Sequence, residues 1–442
     1  MNRMFKGHEM SAKIMRNMLF CGGVIFVDHY RINGGNRLSG EYELTGAKNA
    51  VLPILAATIV TGNKSKIKSC PDLSDVRTML FILQELGCKV TYESDGIVVD
   101  SSTIDSYTIS ESLMREMRSS VFLMGPMIAR CGKVILSYPG GCEIGLRPID
   151  IHLSALRRLG VSIKESHGFL ECTADKLVGN RILMDFPSVG ATENAMMAAT
   201  AAEGETRIIN PAKEPEIVDL QNFLNSCGAE IRGAGTGEIV INGGKSYHEI
   251  EHKVIPDRIE GGTILAAVAM TGGNVLLKNA MPEHMSITLS KLREAGCKIK
   301  EGKDFVELIA PNRLKAIETI RTQPYPGFPT DMQSQLLTVM TVAQGTSVVT
   351  ETIFESRFKH VEELRKMGAK VKVDGRTAII TGVKSLTGAR VFARDLRGGA
   401  SLVIAGLGAE GETIVENIHH IDRGYDRFES ALQRIGADIV RA

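Results

Sequence analysis

Six times along the chain a helical pattern runs out into an apolar residue, a glycine and a short alternating strand: LQELGCKV, LRRLGVSI, LNSCGAEI, LREAGCKI, LRKMGAKV and LQRIGADI. The glycines are Gly87, Gly160, Gly228, Gly296, Gly368 and Gly436. Glycine just past a helix supplies the left-handed C-terminal cap without a Cβ clash, so each unit reads as helix, reversal, strand. A second series, Gly62, Gly132, Gly204, Gly272, Gly345 and Gly411, lies 23 to 28 residues ahead of the first. It is expected to close helices of Ala and other small apolar residues, as in VLPILAATIVTG and TILAAVAMTGG, with strands such as KVILSYP and GETIVENI following. Two glycine series in step across six units argue for six copies of one α/β unit rather than an ordinary doubly wound sheet. Helices apolar on every side must be buried, which puts the Ala-rich ones at the centre and the sheets around them. Three units per domain divides the chain near Glu251 to Pro256 and predicts two similar lobes, with a small-molecule site in the cleft between them.

The charge balance sharpens this. Across 442 residues, 52 Lys plus Arg face 51 Asp plus Glu, so no global basic field draws the chain to nucleic acid or a membrane surface. Any anion site must be local. Eight cysteines (Cys21, Cys70, Cys88, Cys131, Cys142, Cys172, Cys227 and Cys297) show neither metal-ligand spacing nor a disulfide framework, which points to a reducing compartment, no metal and no cofactor. Lys6, Lys13 and Arg16 precede an apolar run from Met18 to Val27 that is too short to span a membrane and lacks a small-residue cleavage site. Residues 1–25 are read as an N-terminal extension, disordered or owed to a mis-assigned start, on a cytoplasmic protein.

The informative polar residues sit at turns. In ELTGAKNAVLP, Lys48 and Asn49 open the first buried helix, where free backbone N–H groups and the helix dipole favour an anion, although a lysine there is also ordinary surface. In PGGCEIGLRPIDIH, glycines bracket Cys142 and Arg147, as suits a loop that closes over a site. Burial is the usual fate of a free cysteine and is expected of Cys88 and Cys297; glycine flanks argue against it for Cys142. GFPTDMQSQ places Asp331 at the head of a helix, as an N-cap or as a carboxylate facing the cleft that accepts a hydroxyl proton. Arg118, Arg357, Arg397 and Arg423 precede or interrupt elements, and with Lys48 and Arg147 they could hold phosphate, carboxylate and diphosphate groups.

The segments TGAKNAVLP, PGGCEIGLRPIDIH, FPSVGATEN, EPEIVD, PDRIEGGT, FPTDMQSQ and HIDRGYDR closely resemble the UDP-N-acetylglucosamine 1-carboxyvinyltransferase family from about Val27 to the C-terminus. The resemblance implies an inside-out α/β barrel of six units in two lobes, with residues 48–255 in one and 26–47 with 256–442 in the other. It implies enolpyruvyl transfer from phosphoenolpyruvate to UDP-N-acetylglucosamine, the opening step of peptidoglycan synthesis, through a tetrahedral adduct that expels phosphate. Lys48, Arg147 and Arg423 would hold the phosphate, and Arg357 and Arg397 would face the carboxylate. Asn49, Arg118, Arg147, Pro148, Ile149, Asp150, Ile151, Ser188, Val189, Gly190, Asp331 and Ile353 would bind the sugar nucleotide. Asp331 would take the hydroxyl proton. Cys142 would protonate the methylene carbon, and the resemblance leaves open its service as nucleophile or product-release gate. An RNA 3'-phosphate cyclase would need a nucleotidylated histidine motif, which is not found, and a polymer-binding ring would need a basic inner face.

Overall fold

The computed structural model describes residues 28–138 and 149–442, apart from the side chains of Arg118 and Ser119. The expected extension, residues 1–25, lies outside them. All six glycines of the first series have positive φ, between 90° and 118°, and each ends a helix so that the next strand can turn back. All six of the second series are also left-handed, but only Gly62, Gly132 and Gly272 directly follow a helix. The helices Val189–Ala199, Gln333–Met340 and Leu396–Leu407 stop earlier. Tight turns such as Ala201 N–H to the Ala198 carbonyl and Thr341 N–H to the Thr338 carbonyl take up the intervening residues, and the glycine instead turns the chain into the following strand.

Two separate hydrophobic cores result. One gathers buried residues between Ala47 and Val254, the other those from Tyr30 to Leu44 and from Ile259 to Ile439. At the centre of the first, helices Lys48–Thr61, Met124–Cys131 and Val189–Ala199 pack on one another; Arg258–Thr271, Gln333–Met340 and Leu396–Leu407 do so in the second. Lys48–Thr61 is buried along its whole length except at Asn49, so the one accessible position of that helix is a polar one.

Sheets wrap these helices, and the chain passes between the two cores while each strand pairs within its own core. Ser39–Glu43 runs parallel to Asn274–Lys278 in the second core, and Ile250–Lys253 runs parallel to Lys64–Lys68 in the first. The chain therefore crosses twice, after Glu43 and after Lys253. The crossings touch through a bridge between Gly46 and Pro256, with Ala47 N–H donating to the Ile255 carbonyl at 2.8 Å and Asp257 N–H to the Thr45 carbonyl at 2.9 Å. Gly46 tolerates no side chain, since a Cβ would lie 1.9 Å from the Ser69 carbonyl oxygen.

Candidate active site

Polar side chains from both cores converge beside these crossings. Asp331 lies in a 3-10 turn, Thr330–Met332, ahead of the Gln333–Met340 helix, and neither element has a side-chain cap. Its carboxylate instead accepts from Arg357 Nη2 at 2.6 Å and from Arg397 Nη2 at 3.1 Å. Arg357 also donates to the Thr330 carbonyl, at 3.3 Å from Nε and 3.2 Å from Nη2. Arg397 sits in the first turn of Leu396–Leu407, where Asp395 caps the helix. Burial works against its charge, but Tyr425 and Asp331 outweigh that and hold the guanidinium protonated. Its Nε and Nη1 are buried beside Tyr425 and make no well-directed hydrogen bond among the described residues, and buried donors of this kind are costly unless an anion meets them.

Across the junction, Lys48 Nζ lies 2.7 Å from Asp75, and Arg423 from the second core grips the same carboxylate at 2.9 and 3.3 Å. Burial pulls the Lys48 ammonium down while Asp75 supports it; burial would raise Asp75, yet Lys48 and Arg423 hold it below the usual carboxylate range. Asp75 is therefore held as the carboxylate. Lys48 N–H donates to Asp257 Oδ2 at 3.1 Å, and Asp257 Oδ1 caps the Arg258–Thr271 helix. Asn49 Nδ2 reaches Asp331 Oδ2 at 3.4 Å, a direct link between the cores. Four basic side chains (Lys48, Arg357, Arg397 and Arg423) thus face three carboxylates, Asp75, Asp331 and Asp257. The basic groups outnumber the acidic ones by one, which suits an anionic ligand.

The remaining sequence-identified residues fall into three groups. Ser188 N-caps Val189–Ala199 by accepting from Ala191 N–H, and a Cβ on Gly190 would approach the Phe122 ring to 2.9 Å and the His152 ring to 3.0 Å. His152 belongs to the helix Asp150–Arg158, which Ile149 precedes and which includes Ile151. Asn194 ties this region together, pairing with His152 Nδ1, the Val121 carbonyl and Gly125 N–H. Ile353 N–H donates to the buried Glu351, whose oxygens also take the Thr322 and Thr330 hydroxyls. Cys142, Arg147 and Pro148 lie outside the described residues, as does the side chain of Arg118.

Sequence reasoning passed over Asp75, Asp257 and Glu351. Asp75 sits in the first turn of Ser74–Glu85 and Asp257 at an N-cap, where an acid needs no functional explanation. No local signal separates Glu351 from an ordinary residue at a strand end.

A fold of this kind with a cationic junction defines a class. Residues 32–432 match the family model described as EPSP synthase (3-phosphoshikimate 1-carboxyvinyltransferase). The solved enolpyruvyl transferase NikO from Streptomyces tendae superposes with a TM-score of 0.85 at 25% identity, covering 94% of this chain and 99% of that one. EPSP synthase from Acinetobacter baumannii, at 18% identity and a TM-score of 0.71, shares the fold over 94% of this chain and all of its own. Curated relatives are more similar still. UDP-N-acetylglucosamine 1-carboxyvinyltransferase 2 of Caldanaerobacter subterraneus subsp. tengcongensis is 56% identical over 93% of this chain and 99% of its own length. UDP-N-acetylglucosamine 1-carboxyvinyltransferase 1 of Symbiobacterium thermophilum is 51% identical over 94% and 95%. The chain belongs to the UDP-N-acetylglucosamine 1-carboxyvinyltransferases within the enolpyruvyl transferase class.

Proposed function

We propose that this chain transfers the enolpyruvyl group of phosphoenolpyruvate to the 3'-hydroxyl of UDP-N-acetylglucosamine, in the cytoplasm, as two three-unit lobes of residues 48–255 and of 26–47 with 256–442. The observation that carries the reading is Asp331, a carboxylate held between Arg357 and Arg397 and reached by Asn49 from the other core. A carboxylate bound by two guanidinium groups is a poor base. The carboxylate of phosphoenolpyruvate competes for Arg357 and Arg397, and as it takes them over it frees Asp331 to accept the proton of the sugar hydroxyl. The hydroxyl oxygen then bonds to C2 of phosphoenolpyruvate while C3 takes a proton, from Cys142 in this reading. Lys48, Arg147 and Arg423 face the phosphate. The tetrahedral adduct loses a proton from C3, the C2–O bond to phosphate breaks, and phosphate leaves.

The sugar nucleotide is placed against Arg118, Ile149, Asp150, Ile151, Ser188, Val189, Gly190 and Ile353. Support for it comes from the packing of Gly190 and Asn194 on His152, which puts the 149–151 and 188–190 segments side by side. Thermal shift tests the choice of acceptor. UDP-N-acetylglucosamine is expected to raise the melting temperature; a rise with shikimate 3-phosphate and none with the sugar nucleotide overturns the assignment.

A further inference from the structure

In the motifs EPEIVD and PDRIEGGT, Glu216, Asp219 and Arg258 have no part in the chemistry described above, and the structure brings them together beside the crossings. The helix Pro215–Cys227 belongs to the first core. Glu216 and Asp219, three positions apart and so on one face, both point at the second crossing. Asp219 Oδ2 accepts from Ile255 N–H at 3.2 Å, and its Oδ1 lies 3.0 Å from His252 Nε2. Glu216 accepts from Arg258 Nε at 3.0 Å and Nη2 at 3.3 Å, a two-pronged pair with both side chains buried. Glu214, just ahead of the helix, accepts from Tyr325 N–H at 3.5 Å, and the Arg258 guanidinium lies over the Tyr325 ring, 5.5 Å from its centre.

Both second-core ends of this clamp lead into the candidate active site. Arg258 directly follows Asp257, which receives Lys48 N–H and caps the Arg258–Thr271 helix. Tyr325 opens the turn that reaches Asp331 six residues later. A shift of Arg258 relative to Glu216 would therefore move Lys48 and Asn49 relative to Asp331, Arg357, Arg397 and Arg423, and Arg258 is close enough to Asp331 for the two charges to interact.

We infer that Glu216 and Arg258 are positioning residues for the enolpyruvyl transfer proposed above: their two-pronged pair sets how the two cores meet, and so the distance between the reacting groups each core carries. Arginine is required because its planar fork fixes direction as well as charge, which a lysine ammonium cannot do. The inference rests on the proposed reaction, so wild-type turnover with phosphoenolpyruvate and UDP-N-acetylglucosamine is measured alongside; inactive wild type defeats the reaction reading, not the clamp.

The test is Arg258→Lys, with Glu216→Asp as a second variant that keeps the charge but shortens the reach, in case the first does not fold. In the folded variant, kcat should fall about 10- to 100-fold, the cost typical of a small misplacement of reacting groups. The KM for phosphoenolpyruvate, whose cationic partners come from both cores, should rise. UDP-N-acetylglucosamine should still raise the melting temperature, because most of its proposed partners belong to one core. A purely structural role would lower the amount of active enzyme without moving either KM. Turnover and both KM values within about twofold of wild type, or a loss of turnover matched by loss of folded protein with KM unchanged, would overturn the inference.

Discussion

Asp331 shows how one residue changes meaning between sequence and structure. In GFPTDMQSQ it reads equally well as a helix cap; in the fold its carboxylate is held by two arginines from other elements. Asp331→Asn should lower kcat by roughly 100- to 10,000-fold, the usual worth of general-base assistance. Because the variant also removes the charge that competes for Arg357 and Arg397, phosphoenolpyruvate should bind it at least as tightly as wild type. Steady-state kinetics with equilibrium binding separates the two effects; weaker phosphoenolpyruvate binding with near-normal kcat would make Asp331 a substrate-binding group rather than a base. At this scale the sequence was most legible where a polar residue interrupts an apolar or glycine-rich run, as at Lys48, Asn49 and Arg397. Asp75 and Asp257 were illegible because an acid at a helix start satisfies local rules by itself, and only the chain's return from residue 423 reveals a second partner for Asp75.

Among the elements, the positive-φ glycines made the fold readable. A left-handed residue after a helix is a local requirement, so it leaves a mark in the sequence at every repeat. The early ends of Val189–Ala199, Gln333–Met340 and Leu396–Leu407 left none, since their last turns are made by backbone hydrogen bonds that small residues of any kind can form. The helix Val189–Ala199 also buries Glu193 completely, with neither carboxylate oxygen partnered among the described residues. Burial, and then the nearby Glu216 and Glu214, push this carboxyl well above its ordinary 4.5. Unfolded, Glu193 ionises above that value; folded, it keeps its proton, so stability is highest below it and is lost as pH rises toward the folded value. Each pH step of one across this window costs about 1.4 kcal/mol. Glu193→Gln should flatten the fall in melting temperature between acidic and mildly alkaline pH. Glu260, raised to about 7 by burial, contributes its own slope to both proteins, so the difference between variant and wild type isolates Glu193. Identical pH dependences would show that Glu193 is ionised in the folded chain.

In the whole molecule, six units became two cores joined by two crossings of the chain, and the candidate site lies where the crossings bring residues 48, 49, 331, 357, 397 and 423 together. The repeat made the number of units legible; the long-range strand pairing was not, because Ser39–Glu43 and Ile250–Lys253 carry no signal naming a partner more than 180 residues away. Thiol chemistry is also decided at this scale. Burial pushes Cys70, Cys88, Cys227 and Cys297 up to about 12 and Cys172 to about 11, and raises Cys131 as well, so none of the described cysteines is a ready nucleophile. Fosfomycin, an epoxide mimic of phosphoenolpyruvate, should alkylate Cys142 selectively, and faster when UDP-N-acetylglucosamine is bound. Peptide mass mapping after brief exposure checks this; adducts spread over several cysteines would refute it.

The central claim is that both substrates meet at one junction, and phosphate release measures that directly. Purified wild-type protein should release phosphate from phosphoenolpyruvate only when UDP-N-acetylglucosamine is present, with one enolpyruvyl sugar nucleotide formed for each phosphate. Release from phosphoenolpyruvate alone, or release that requires shikimate 3-phosphate in place of the sugar nucleotide, would contradict it.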